Sequence, residues 1–370
     1  MVSLNLKDIV KPSINEIEKY IPGESFSINK EDKISKLSSN ESPFKIPRKV
    51  ISKVNSIVLS SNLYPDGDCN QLKNQLAKTF KLKVKNIICG NGSDDVLSVI
   101  AQTFSKEGGE VICSEFGFTY YPIIARASGC KVVTAKSDRL KISCDNILKS
   151  ITKLTRIIFI ANPNNPTGTI IYKEELLNFL HKVPQNIIVV LDGAYSEFIT
   201  DRRYTDGIDL INKFPNIIVT RTFSKIFALA GLRLGWAYSN EKIIQLLEKV
   251  RGPFNVNTLS QNTGTLILRE KKFLKKSIIH NDKWRKILPN EIKKIGLESF
   301  ESFANFVLVR VNETKYSKRE ILRFLKKKRI LVRDLTNYGM KEFFRVSIGS
   351  NSDLKKFLRE LRNSINKKNA

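Results

Sequence analysis

From residue 86 to residue 238, short apolar runs alternate with segments whose apolar positions recur every three or four residues. The runs lie at 86–89, 110–114, 131–135, 156–161, 186–192, 216–220 and 232–238. Most are rich in β-branched residues and lack strict polar alternation, which predicts strands covered by helices on both faces. Strands and helices in alternation predict an α/β fold around a mainly parallel sheet, with its ligand site at the strands' carboxyl ends. Upstream, the pattern predicts an N-terminal arm with a helix near 13–20 stopped by Pro22-Gly23. A loop over 37–43 and a turn over 63–67 then lead into a helix around 71–80. Near residue 275 the pattern changes to a lysine-rich helix, a strand at 303–311, a helix from Ser317, strands at 329–333 and 343–348, and a closing helix from Ser352. The expected division is an arm over 1–35, a large domain over 36–274 and a smaller α+β domain over 275–370.

Composition narrows the class. At 370 residues the chain exceeds what one core usually serves, and 41% hydrophobic content is ample for packing. No apolar run approaches the roughly 20 residues of a membrane span. The first twenty residues mix charges through every turn, unlike a signal peptide, so a soluble cytoplasmic protein without a membrane partner is expected. Five cysteines without C-x-x-C spacing and only two histidines argue for reduced thiols and against a metal site. The net charge of +27 comes from lysines scattered through helical segments. The densest runs, 271–276 and 326–329, lack the interleaved aromatics of a single-strand binding surface. Attraction of phosphorylated, anionic metabolites is therefore expected, and no nucleic-acid partner.

Four strand ends carry candidate chemistry. The run at 216–220 leads into Thr222-Phe223-Ser224-Lys225, with Arg233 eight residues further on. A lysine ending a buried strand is costly unless its charge is satisfied or its pKa lowered, and a lowered pKa is what a Schiff-base lysine needs. A lysine snorkelling at a strand–helix junction is the alternative. Gly90-Asn91-Gly92-Ser93-Asp94-Asp95 follows the first strand and opens a helix, so its exposed N–H groups suit a phosphate. Ser93 capping its own helix explains part of the same pattern. Asn162-Pro163-Asn164-Asn165-Pro166-Thr167-Gly168 is either a turn or a source of amide donors, and Asp192 before Gly193-Ala194-Tyr195 is either a helix cap or the partner of a buried cation.

Taken together, the P-N-N-P-T-G, D-x-x-Y and S-K-x(7)-R elements, in that order, resemble the fold-type I pyridoxal-phosphate (PLP) aminotransferases over almost the whole chain. The resemblance implies a large PLP-binding domain with a mainly parallel central sheet, a small α+β domain, and an arm that packs on the small domain and on a dimer partner. It implies that Lys225 carries the cofactor as a Schiff base and then, as a free amine, shuttles a proton between the substrate α-carbon and the cofactor's C4′. It implies that Asp192 faces the pyridine nitrogen, and that Tyr195 and Asn165 bond the ring oxygen. Gly92, Ser93, Thr222, Ser224 and Arg233 would hold the phosphate, with Asp94 close to the loop. Phe118 takes the ring-stacking position, where many relatives have a tyrosine. Tyr64 matches a tyrosine that reaches the neighbouring subunit's phosphate, so a homodimer is implied, with Tyr20 a second candidate for crossing the interface.

Glu18 to Gly23, Asn40-Glu41-Ser42-Pro43, Arg221 to Lys225, Leu229 to Arg233, Val332-Arg333-Asp334 and Phe344 to Gly349 resemble the histidinol-phosphate aminotransferases in particular. Transamination of L-histidinol phosphate with 2-oxoglutarate is thereby implied. Arg345 is the candidate for the shared substrate anion, with Arg333, Tyr20, Asn40 and Asn165 as further substrate contacts. The alternatives are an aromatic amino acid aminotransferase, a PLP-dependent decarboxylase of threonine phosphate, and a basic binding protein on the same scaffold.

Overall fold

Runs of Ile and Val give extended strands that are buried on both faces only if helices cover both, and the larger sheet is built this way. The computed structural model describes residues 9–24 and 34–366. In chain order the strands are β1 (Ser35–Leu37), β2 (Ile87–Gly90), β3 (Glu110–Ser114), β4 (Lys131–Ala135), β5 (Thr155–Ala161), β6 (Ile188–Asp192), β7 (Ile217–Thr222), β8 (Gly235–Tyr238), β9 (Glu298–Ser299), β10 (Phe306–Arg310), β11 (Ile330–Asp334) and β12 (Phe343–Ser347). The larger sheet has the order β2-β8-β7-β6-β5-β3-β4. Its strands from β7 to β4 are parallel, and β8 lies antiparallel between β2 and β7.

Hydrophobic layers pack on the two faces, one around Leu72, Leu76, Phe223 and Trp236, the other around Val96, Ile100, Tyr121 and Ile244. Strand order reverses where β5 returns beside β3, and such a reversal opens a crevice at the carboxyl ends. The turns after β3, β5, β6 and β7 all empty into it.

The second sheet has the order β1-β11-β12-β10-β9 and packs on a core that includes Trp284, Phe344 and Phe357. Strand β1, far upstream in sequence, runs parallel to β11 and so ties the start of the chain to its end. Among the described residues, no helix is long and apolar enough to cross a membrane.

Two elements differ from expectation. The helix expected near 13–20 is only a 3-10 turn, Pro12–Glu16, followed by chain without regular structure. Arg333 Nη2 donates to the Ile21 carbonyl at 2.6 Å, and this tertiary bond holds the segment open where local propensity favoured a helix. The strand expected over 232–238 starts only at Gly235. Arg233 adopts a left-handed backbone (φ +52°), which turns its side chain back towards the crevice and delays the strand.

Candidate active site

The crevice holds a cavity of about 290 Å³. Its floor comes from the ends of β5, β6 and β7, and its roof from Arg333 and Arg345 of the second sheet, Tyr338 of the turn between their strands, Tyr20 and the loop at 38–41.

One end is a cradle suited to an anion. Gly92 has φ +97°, and a Cβ there would lie 2.5 Å from both Arg233 Nη2 and Asp94 Oδ1. The helix Ser93–Phe104 begins at this point without a side-chain cap, so its first N–H groups remain available. Gly235 lets β8 pass directly behind, since a Cβ on it would come within 2.2 Å of the Ser93 backbone nitrogen. Arg233 donates to Asp94 at 2.8 and 3.0 Å, to Ser224 Oγ at 3.3 Å and to the Ala230 carbonyl at 2.9 Å. Thr222 Oγ1 bonds Ser224 Oγ at 3.0 Å, and Ser93, Asp94, Thr222, Ser224 and Arg233 all line the cavity.

At the floor, Asp192 is 5% exposed and caps no helix. It accepts from Tyr121 Oη at 2.8 Å and from Thr220 Oγ1 at 3.1 Å. Burial raises its pKa, and those two donors with the Ala194 N–H pull the other way. Lys225 stands nearby, its Nζ 5.8 Å from the centre of the Tyr195 ring. Burial first, then the positive charges of Arg345 and Arg233, lower the Lys225 pKa to about 8. With that pKa about a tenth of the Lys225 amine is neutral at pH 7, far more than for an ordinary exposed lysine.

Tyr195 is buried, its hydroxyl pKa pushed up to about 12 by burial, and it accepts from Asn40 Nδ2 at 3.0 Å. Asn162 and Asn164 serve the turn itself, bonding Ile171 and the Phe116 carbonyl. Asn165 is the one whose side chain reaches the cavity, its Oδ1 accepting from Arg345 Nη1. Phe118 also lines the cavity, edge-on to Tyr121 at 5.5 Å and to Tyr20 at 6.4 Å.

At the opposite end Arg333 and Arg345 pair across β11 and β12. Arg345 is buried, with Nη2 donating to the Ser38 carbonyl at 3.0 Å, its carbon 5.0 Å from the Phe306 ring centre and its Nε left without a partner. Burial lowers its pKa from the usual guanidinium value. A buried orphan donor on a cation facing a cavity is suited to an incoming anion.

Two expected residues sit differently from the rest. Tyr64 is 82% exposed, stacked on Phe254 at 4.7 Å, and does not line this cavity. Asn40 lines the cavity, but its side chain is bonded at both ends to protein groups, Tyr195 and Ser347. Sequence reasoning missed Tyr121 and Tyr338. Tyr121 stands three residues after Phe118, within a helix whose apolar spacing also fits an ordinary core position; Tyr338 lies in a short 3-10 turn, Thr336–Tyr338, with no motif around it.

Residues 32–361 match the family described as aminotransferase class I and II. A histidinol-phosphate aminotransferase of Pelagibacter ubique (strain HTCC1062) is 38% identical, over 95% of this chain and 98% of its own. That of Maricaulis maris (strain MCS10) is 37% identical, over 93% and 95%. The crystal structure of histidinol-phosphate aminotransferase from Sinorhizobium meliloti in complex with pyridoxal-5'-phosphate superposes with a TM-score of 0.87 at 23% identity, covering 97% of this chain and 98% of that one. That likeness is one of fold, α/β with mixed, mainly parallel strands in the larger sheet. With a family match over most of its length and close relatives spanning nearly all of it, the chain belongs to the class I and II aminotransferases.

Proposed function

We propose that this chain transfers an amino group between L-histidinol phosphate and 2-oxoglutarate, giving imidazole acetol phosphate and L-glutamate in histidine biosynthesis, with pyridoxal 5'-phosphate as cofactor. One observation carries the reading: a single cavity has a lysine of depressed pKa and a buried carboxylate at its floor, an anion cradle at one end and two arginines at the other.

The residues fit the cofactor. Gly92, Ser93, Thr222, Ser224 and Arg233 would hold its phosphate, with Asp94 steadying Arg233. Asn165 and Tyr195 would bond the ring oxygen, and Phe118 would cover the ring. When bound, the cofactor supplies an electron-withdrawing ring that accommodates the electron pair left as a substrate C–H bond ionises. Asp192, held by Tyr121 and Thr220, stabilises positive charge at the ring nitrogen. Lys225, in its free-amine form, takes a proton from the substrate α-carbon and returns one in the reverse half-reaction. Arg345 with its unpartnered Nε, Arg333 and Tyr20 bind the anion that both substrates share in position, a phosphate in one and an α-carboxylate in the other. Asn40, expected as a substrate contact, has its side chain committed to Tyr195 and Ser347 instead.

The exposed apolar residues Leu59, Leu63, Tyr64 and Phe254 support a homodimer in which Tyr64 of the partner subunit completes the phosphate cradle. The reading keeps the proposed division into an arm, a large domain to 274 and a small domain from 275. Five free, buried thiols suit a reducing, cytoplasmic setting.

The second reading, an aromatic amino acid aminotransferase, draws on the rings of Tyr20, Phe118 and Tyr338 around the same cavity. The test is transamination of histidinol phosphate, phenylalanine and tyrosine with 2-oxoglutarate, side by side. Histidinol phosphate is expected to give the highest kcat/KM. A higher value for either aromatic donor favours the second reading.

A further inference from the structure

Asn40 is 2% exposed and stands in left-handed backbone (φ +55°), a conformation that asparagine tolerates better than most residues. It meets three separate parts of the chain. Its backbone N–H donates to Ser347 Oγ of β12 at 2.8 Å, and its carbonyl accepts from Asn305 Nδ2 at 2.9 Å. Ser347 Oγ bonds Asn40 Oδ1 at 2.9 Å, and Asn40 Nδ2 bonds Tyr195 Oη at 3.0 Å.

The polarity of this chain of bonds follows from its first link. A backbone N–H can only donate, so Ser347 Oγ accepts from Asn40 and directs its own hydrogen elsewhere. The nearby acceptor is Asn40 Oδ1, which fixes the amide oxygen on the serine side and the NH2 on the tyrosine side. An amide NH2 cannot accept, so the Tyr195 hydroxyl accepts there and its single hydrogen must leave in another direction. Among the described residues no other hydrogen-bond partner of that hydroxyl is found, and Tyr195 lines the cavity.

We propose that Asn40 is a positioning residue that sets the direction of the Tyr195 hydroxyl hydrogen, aiming it into the cavity at the ring oxygen of the bound cofactor. This rests on the cofactor assignment made above. Asn40 acts only through Tyr195, and the small sheet, through Ser347, sets the donor polarity of a residue on the large sheet. The charged groups around the Tyr195 ring are Arg345, Asp192 and Lys225, with Tyr338 the neighbouring titratable hydroxyl. The variants below leave all four in place.

Asn40→Asp preserves shape and backbone preference but offers an acceptor to Tyr195, which reverses the bond. The readout is the pH midpoint of the visible absorbance band of the PLP-loaded protein, together with PLP affinity of the apoprotein. Reversal withdraws a donor from the ring oxygen, so the midpoint should rise by about one unit and PLP affinity should fall about tenfold. The same substitution made on Tyr195→Phe should then move the midpoint distinctly less, because only the added carboxylate charge acts there once the hydroxyl is gone. An equal shift in both backgrounds, or none in either, overturns the proposal. Ser347→Ala leaves Asn40 intact and removes only the group that orients its amide. It should shift the midpoint in the same direction by a smaller amount, and an unmoved midpoint counts against the proposal even where Asn40→Asp does not fold. A wild-type protein that takes up no PLP fails the cofactor assignment itself, and the proposal with it.

Discussion

The two ends of the cavity are built in opposite ways. The cradle around Gly92, Ser93, Ser224 and Arg233 is local: its residues sit on β2, β7 and β8 of one sheet, or on the turns beside them. The glycines there allow backbone to touch backbone, as Gly235 does against Ser93. The end around Arg333 and Arg345 is assembled from distant parts of the chain. Arg345 is held by Ser38 and Asn165, and Arg333 by Ile21, partners that lie 307, 180 and 312 residues away in sequence. On the proposed reading the first end is a fixed socket for the cofactor's phosphate. The second exists only where the small sheet, the arm and the large sheet meet. Fixed geometry suits a cofactor that stays, and contingent geometry suits two substrates that alternate.

Breaking the floor between the two ends should have the largest effect. Lys225→Ala is expected to cut transamination by at least about 10⁴-fold, the upper range for a general acid–base group, while PLP still binds through the cradle. Turnover near the wild-type rate would remove Lys225 from the chemistry. Arg345→Ala comes next. Loss of a buried charge-assisted contact of about 2–5 kcal/mol should lower kcat/KM for both histidinol phosphate and glutamate by roughly 30- to 4,000-fold. PLP affinity should stay unchanged, and an unaltered kcat/KM for both substrates would place the anion elsewhere. Arg233→Ala should give the converse pattern. PLP affinity measured on the apoprotein should fall about 10- to 100-fold, as for a lost charge-assisted bond to phosphate, with substrate KM nearly constant at saturating PLP. If both arginine variants gave the same pattern, the two ends would not be separate.

The smallest effect concerns pH. The Lys225 pKa is about 8 in the folded protein, below that of an ordinary lysine, so its amine is neutral above that pH while exposed lysines are still charged. Acylation of Lys225 in the apoprotein, followed by peptide mass spectrometry, should rise with a midpoint about 8. A midpoint shared with surface lysines would mean that burial and the two arginines do not act on it. The sign for stability is the same. The unfolded chain binds this proton more tightly, so the Lys225 contribution is unfavourable below pH 8 and is relieved as pH rises towards the unfolded lysine value.

What the sequence made legible follows the same division. The large sheet could be read because β-branched runs such as β5 and β6 have no other stable use, and the cradle because Gly92 and Ser93 open a helix directly after a strand. Asp192, Tyr195 and Lys225 each close or follow such a run, but their roles came from the resemblance to the PLP aminotransferases, since the pattern alone left a helix cap and a snorkelling lysine open. Elements governed by tertiary contacts were not legible. The irregular path of residues 17–24 is tied to Arg333 through Ile21, and the late start of β8 to the left-handed turn at Arg233. Tyr121 could not be told from a core tyrosine until Asp192 was seen at 2.8 Å from its hydroxyl. Asn40 was expected as a substrate contact, and nothing local announces a side chain that bridges Ser347 and Tyr195.

The most direct test is chemical capture of the cofactor. Protein loaded with PLP is reduced with borohydride, digested, and every modified lysine is identified by mass spectrometry. Modification confined to Lys225 is the expected result. A label on any other of the chain's lysines with Lys225 unmodified, or no label at all, would contradict the assignment of Lys225 as the residue that holds the cofactor.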